Sequence, residues 1–159
     1  MRIIGIDPGT GILGFGVIEV AAGKKLQLVD AGVIRTRVHQ PLDERLLEIH
    51  QSLTEIIADT TPQYMAIEKL FFAQNVTTAM SVAHARGVAM LAGAQAGLQI
   101  AEYTPLQIKQ TMTGYGRATK KQIQEMVRIQ LNLTEVPKPD DCADALAVAI
   151  MHSLVARSS

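Results

Sequence analysis

Four acidic residues stand where a carboxylate can do more than solvate a surface: Asp7, Glu68, Asp141 and Asp144. Asp7 closes the run Ile3-Ile4-Gly5-Ile6 and is followed by Pro8-Gly9, where a strand must stop or turn. Glu68 ends Tyr64-Met65-Ala66-Ile67 in the same way. Asp141 and Asp144 are three apart at the opening of an apolar run, so on a helix they share one face. Each has an ordinary explanation alone: a turn starter, a solvated strand end, and acidic capping of a helix whose N-cap would be Asp140. Asp140 also leaves the first helix carboxylate ambiguous by one position, and the three-residue step to Asp144 favours Asp141. Together the four offer hard oxygen donors, which suit Mg²⁺, or Mn²⁺, and no His or Cys cluster competes for a softer metal. Two such ions in one carboxylate cluster activate water and stabilise the leaving oxygen in phosphodiester hydrolysis.

The elements that must position these groups follow from periodicity. Arg2–Asp7, Thr10–Val20 and Leu26–Thr36 read as three strands joined by short turns, an antiparallel meander. Gly9, Gly11, Gly14 and Gly16 weaken the second strand and need a reason: close approach of a backbone or phosphate, or a hairpin with little side-chain packing. Leu42, Leu46, Leu47, Ile49, Leu53, Ile56 and Ile57 recur at helical spacing, predicting a helix over 41–60 with Pro41 in its first turn. A helical crossover makes 64–68 a strand parallel to the first. Residues 75–97 predict a long helix capped by Asn75 and rich in Ala and Gly, which lets another element approach, within the fold or from a second subunit. A strand over 98–103, a short helix from Thr104-Pro105, a glycine-bearing loop over 113–121 and a helix to Leu131 follow. The proline-bearing linker 132–139 leads to the last helix.

Formal net charge is +0, yet Lys109, Arg117, Lys120, Lys121 and Arg128 face only Glu125 between residues 105 and 130. This local basic segment is either a nucleic-acid contact or a solvated helix face. Phe71 and Phe72 are adjacent in a loop just after Glu68. Neighbours on a strand point to opposite faces, so one could anchor the loop in the core while the other stacks on an unpaired base. Cys142 is the only cysteine, which excludes an intrachain disulfide and a Cys-based zinc site; a buried apolar role suits it. No apolar run approaches roughly 18 residues and no signal segment opens the chain, so a cytoplasmic protein is expected. At 159 residues with 48% hydrophobic content, a single domain over 1–159 is expected.

These motifs resemble one known family. Gly5-Ile6-Asp7-Pro8-Gly9 with Gly14-Phe15-Gly16-Val17-Ile18 is similar to the opening of the RuvC family, bacterial Holliday junction resolvases. The resemblance runs on through Ala66-Ile67-Glu68 with Phe71 downstream, Ala85-Arg86-Gly87-Val88-Ala89, Gln107-Ile108-Lys109-Gln110 and Asp141-Cys142-Ala143-Asp144-Ala145-Leu146-Ala147. It implies an α/β RNase H-like fold, a five-stranded mixed sheet flanked by helices. It implies a homodimer that nicks a four-way junction symmetrically in recombination and DNA repair, leaving 5′-phosphates. Asp7, Glu68, Asp141 and Asp144 fall on the family's metal-binding carboxylates, with two Mg²⁺ (or Mn²⁺) ions per site. Phe71 falls on its junction-stacking aromatic, with Phe72 a second candidate, and Lys109 and Lys120 fall on DNA-contacting positions. Arg117 and Lys121 join them as basic candidates, the small-residue helix falls on the dimer contact, and RuvA and RuvB are the implied branch-migration partners.

Three other readings compete. An ATPase of the actin and sugar-kinase type also opens with strand, Asp and glycine-rich hairpin, but needs two such domains and a second nucleotide motif. An RNase H-like nuclease acting on another nucleic-acid structure keeps the carboxylates and discards the junction. A junction-binding module that does not cut has no need of four carboxylates.

Overall fold

The structure is a computed structural model that describes residues 1–69 and 76–158. Three antiparallel strands open the chain: β1 (Arg2–Asp7), β2 (Ile12–Val20) and β3 (Leu26–Arg35). Helix α1 (Leu42–Thr60) leads to β4 (Tyr64–Glu68), which is parallel to β1, and α2 (Val76–Gln95) leads to β5 (Gln99–Tyr103), parallel to β4. Helices α3 (Pro105–Thr113), α4 (Lys120–Gln130) and α5 (Asp140–Ser158) complete the chain. The sheet order is β3-β2-β1-β4-β5. This is the five-stranded mixed sheet of an RNase H-like α/β fold.

Strand parity sorts the side chains into two cores. Ile4, Ile6, Leu13, Phe15, Met65 and Ile67 pack under α1 and α2, with Ile49, Leu53, Ala85 and Ala89. Ile3, Ile18, Ala66 and Tyr103 pack on the other face under α5, with α3 and α4 beside it. Residues 145–151 of α5 are buried all round its circumference, as an apolar helix enclosed between a sheet and other helices must be. Parity then decides where the acids go. Ile3 and Gly5 face α5, and so does Asp7; Ala66 faces α5, and so does Glu68.

The glycines of β1 and β2 exist for that helix. A Cβ on Gly5 would stand 1.9 Å from the Ala145 carbonyl oxygen, and one on Gly16 would stand 2.4 Å from Leu146 Cδ2. Of the two explanations for the glycine-rich strand, close approach of a backbone is the one realised. Local capping accounts for α3 and α4. Thr104 and Thr119 each accept from the main-chain N–H of the third helical residue, and Gln107 and Gln122 reach back to complete the box. The Thr119 cap starts α4 at Lys120, so Lys120 and Lys121 belong to the helix and not to the loop. Pro41 stands at the N-cap of α1, one position before its first turn. The expected N-cap role of Asp140 is corrected as well: its carboxylate pairs with the Lys120 ammonium, and Asp140 is the first residue of α5. The Asn75 cap lies outside the described residues.

Candidate active site

Asp7 enters the site from the end of β1, whose register partner there is Gly14 on β2. A Cβ on Gly14 would lie 2.2 Å from the Asp141 carbonyl oxygen and 3.0 Å from Asp141 Cβ, so the missing side chain is what lets the first turn of α5 settle beside Asp7. Asp7 and Asp141 come within side-chain hydrogen-bonding reach. Asp144, one turn further along α5, lines a cleft of about 250 Å³ together with Glu68, Lys109 and Lys120 over the side chains of Ile108 and Ile123. Asp144 therefore stands on the wall of an open cleft, with its side chain 36% exposed.

The electrostatics of this cluster are dominated by like charge. Burial, with Asp144, Asp141 and Glu68 as neighbours, pushes the Asp7 carboxyl up to about 8. Glu68 is raised by burial and by Asp144, with the Lys109 ammonium acting against the rise. Asp144 is raised by burial and held back by Lys120. The Lys120 ammonium lies 3.4 Å from both Asp140 Oδ2 and Asp144 Oδ2, and Asp144 is the main cause of its raised pKa. Anionic side chains packed this closely call for added positive charge.

The donor set is all oxygen, drawn from three separate elements, and matches the preference of a hard divalent cation. Among the described residues no group of three or more His, Cys, Asp or Glu side chains is arranged to hold a metal ion as it stands. The four acids thus share one electrostatic site, split between the Asp7–Asp141 contact and the Glu68–Asp144 cleft. The fit is one of donor chemistry and of charge.

The remaining predicted residues are placed as follows. Lys109 and Lys120 stand in the cleft, while Arg117 and Lys121 are exposed on the α3–α4 side. Arg128, counted in the basic segment, is paired with Glu125 in its own helix. Phe71 and Phe72 lie outside the described residues. Cys142, in the first turn of α5, is buried in the core between that helix and the sheet, as its apolar reading requires. No helix among the described residues is long and apolar enough to cross a membrane.

The glycine reading left the partner of Gly14 open, and the structure shows that it seats Asp141. Sequence reasoning passed over two other residues that hold the site in place. Thr10 is buried behind Asp7, where its Oγ1 donates to the Ser81 carbonyl at 2.7 Å. Arg86 donates from Nε to the Glu68 carbonyl oxygen at 3.1 Å. Arg86 did carry a signal, because it is the only Asp, Glu, Lys or Arg in the whole of α2. A single formal charge in such a helix needs a partner.

With this geometry in view, likeness to known proteins is informative. Residues 3–152 match the family described as "Crossover junction endodeoxyribonuclease RuvC". A protein of that name from Desulfitobacterium hafniense is 55% identical over 153 residues, which cover 96% of this chain and 92% of that protein. The solved RuvC structure from Thermus thermophilus superposes with a TM-score of 0.92 at 37% identity, covering 99% of this chain and 96% of the other. The same protein solved with a Holliday junction substrate gives a TM-score of 0.94 at 37% identity, with the same coverage of both chains. The chain belongs to the RuvC family of crossover junction endodeoxyribonucleases.

Proposed function

We propose that this protein is a divalent-metal-dependent endonuclease that resolves four-way DNA junctions by paired, symmetric nicks, the whole of 1–159 acting as one nuclease domain. The observation that carries the reading is the convergence of Asp7, Glu68, Asp141 and Asp144 from two strand ends and one helical turn beside Lys109 and Lys120. These four carboxylates would hold the metal, with two Mg²⁺ ions the best match to four hard donors and Mn²⁺ the natural substitute. When bound, the ions supply Lewis-acid polarisation of the scissile phosphate and lower the pKa of the attacking water.

The chain's own residues do the rest. Asp7 lies at the centre of the repulsion, since its carboxyl is raised by all three of the others. It is the group whose charge most needs neutralising and the one shared by both halves of the cluster. Lys109 and Lys120 place two ammonium groups on the cleft wall, where the other charged groups a phosphodiester backbone would meet are the acids Glu68 and Asp144. Lys120 serves two carboxylates at 3.4 Å, a loose contact that a phosphate oxygen can replace. Arg117 and Lys121 extend this positive ground beyond the cleft, and Phe71, or Phe72, supplies the aromatic that stacks on an unpaired base. Hydrolysis leaves a 5′-phosphate.

Paired nicking calls for two sites related by a two-fold axis. Helix α2 supports this, because Met80, His84, Gly87 and Leu91 form an exposed stripe at helical spacing. Met80 and Leu91 are each more than half exposed, and nothing lies within 4 Å of where a Gly87 Cβ would be. Ala85, Ala89 and Ala92 meanwhile point into the core, so the small residues of α2 serve both packing within the fold and a second copy. Family membership supports RuvA and RuvB as the branch-migration partners.

The test is cleavage of a synthetic four-way junction beside a matched linear duplex and an RNA–DNA hybrid, in Mg²⁺ and in Ca²⁺. Paired nicks in the junction alone with Mg²⁺, and binding without cutting in Ca²⁺, are expected. Cutting of the duplex or hybrid would keep the nuclease and discard the junction, and junction binding without any cutting would leave a binding module.

A further inference from the structure

The end of β4 is fixed from behind. Parity puts the Glu68 carboxylate on the α5 face of the sheet, and it puts Glu102, one register position away from Glu68 on β5, on the opposite face under α2. There the Arg86 side chain, 16% exposed, spans three partners. Its Nε donates to the Glu68 carbonyl oxygen at 3.1 Å, its Nη2 donates to Glu102 Oε1 at 2.8 Å, and its Nη1 lies 3.3 Å from Met90 Sδ. The other atom of the same peptide group is held too, since Lys69 N–H donates to the Tyr103 carbonyl at 2.7 Å. The Glu68–Lys69 peptide is thus tied at both its oxygen and its nitrogen, at the point where the chain leaves the sheet.

A rigid planar fork suits this task, because it reaches a carbonyl and a carboxylate at once in fixed directions. An ammonium group is a single point on a flexible stem and satisfies one of them well. Holding the peptide plane of Glu68 limits its ψ, and with it the direction in which Cβ and the carboxylate leave the strand. The loop behind Asp7 has a matching tie to the same helix. Thr10 Oγ1 donates to the Ser81 carbonyl, Thr36 Oγ1 donates to the Thr10 carbonyl at 2.6 Å, and Arg45 Nε donates to Thr36 Oγ1 at 2.8 Å. Both strand ends that carry an acid are therefore referenced to α2.

We propose that Arg86 is a positioning residue for the carboxylate cluster: by clamping the Glu68–Lys69 peptide to α2 and to Glu102, it sets the geometry in which Glu68 holds a divalent cation. The proposal rests on the reading of Glu68 as a cation ligand. Supporting groups that orient a ligand typically change metal affinity by about 10–100-fold when removed, and a clamp on the main chain belongs at the lower end of that range.

The experiment is a Mn²⁺ titration of the full chain without DNA, with free Mn²⁺ read by electron paramagnetic resonance, in wild type, Arg86→Gln, Arg86→Lys and Glu68→Gln. Arg86→Gln should weaken Mn²⁺ binding by about 10-fold, and Arg86→Lys should recover part of the loss. In junction cleavage, kcat should fall with KM unchanged. A purely structural Arg86 would lower the melting temperature and leave Mn²⁺ affinity intact well below it, which would overturn the proposal. Should Arg86→Gln fail to fold, Glu102→Ala at the sheet edge releases one arm of the clamp. A smaller loss of Mn²⁺ affinity is then expected, and wild-type affinity would overturn the proposal. Wild-type Mn²⁺ affinity in Glu68→Gln would instead remove the ligand reading itself, whereas loss there with wild-type affinity in Arg86→Gln refutes the clamp alone.

Discussion

Gly14 and Asp141 are in contact through an atom that Gly14 does not have: a Cβ there would stand 2.2 Å from the Asp141 carbonyl oxygen. Gly14 is also the register partner of Asp7, so one missing methyl sets the distance between two carboxylates that are more than a hundred residues apart in sequence. Gly14→Ala should push the first turn of α5 off the sheet. Overpacking against a main chain with little room to yield costs about 1–3 kcal/mol, read by urea unfolding, and junction cleavage should fall further than stability does.

The acidic cluster should make the metal-free protein less stable as pH rises. The Asp7 carboxyl is raised from the ordinary 3.8 to about 8 in the folded state, so between those values the folded chain holds a proton that the unfolded chain has lost. Unfolding free energy in EDTA should therefore fall from about pH 4 to pH 8, with Glu68 and Asp144, both also raised, adding to the slope. Asp7→Asn should flatten the profile and stabilise the metal-free protein at pH 8.5 by on the order of a few kcal/mol. Urea midpoints at pH 5 and 8.5 measure this. A wild-type profile that rises with pH would show that the carboxylates do not repel one another as placed.

Lys120 carries its charge to Asp144 and Asp140, and its replacement by Met should be felt twice. Junction binding should lose about one unit of its salt dependence, the signature of one lost phosphate contact. Cleavage should fall by more than binding, because Asp144 also loses the ammonium that restrains its pKa. Lys121→Met, exposed and outside the cleft, should change salt dependence with a smaller effect on the rate. Filter binding at several salt concentrations and single-turnover cleavage separate the two.

Leu91→Glu should yield a folded monomer. Leu91 is 52% exposed on the α2 stripe, so a charge there costs the protomer little and is buried only if a second copy covers it. Light scattering after size exclusion should show half the wild-type mass with an unchanged circular dichroism spectrum. A dimer that persists would place the two-fold contact elsewhere.

The fold was legible where physics is local. The spacing of Ile49, Leu53 and Ile57 marks the buried stripe of α1, and the short β-branched runs mark β1 to β3. What sequence spacing could not express was long-range. Glycines in β2 could equally mean a bare hairpin, and only the seating of Asp141 and Leu146 against Gly14 and Gly16 decides. Asp140 looked like a cap because capping is the usual work of an acid at that position, yet a lysine twenty residues earlier draws its carboxylate away. The acids were legible as a set because each borders an apolar run: Asp7 and Glu68 close one, and Asp141 and Asp144 open another. Their division into an Asp7–Asp141 contact and a Glu68–Asp144 cleft depends on strand parity and helix seating together.

The most direct test of the central claim is a comparison of wild type with Asp7→Asn on one four-way junction in Mg²⁺, measuring nicking and binding in the same samples. The account predicts that the variant binds the junction as wild type does and no longer nicks it, because it loses a carboxylate needed for metal chemistry and keeps every basic contact. Nicking at the wild-type rate, or a loss of binding in step with the loss of nicking, would contradict it.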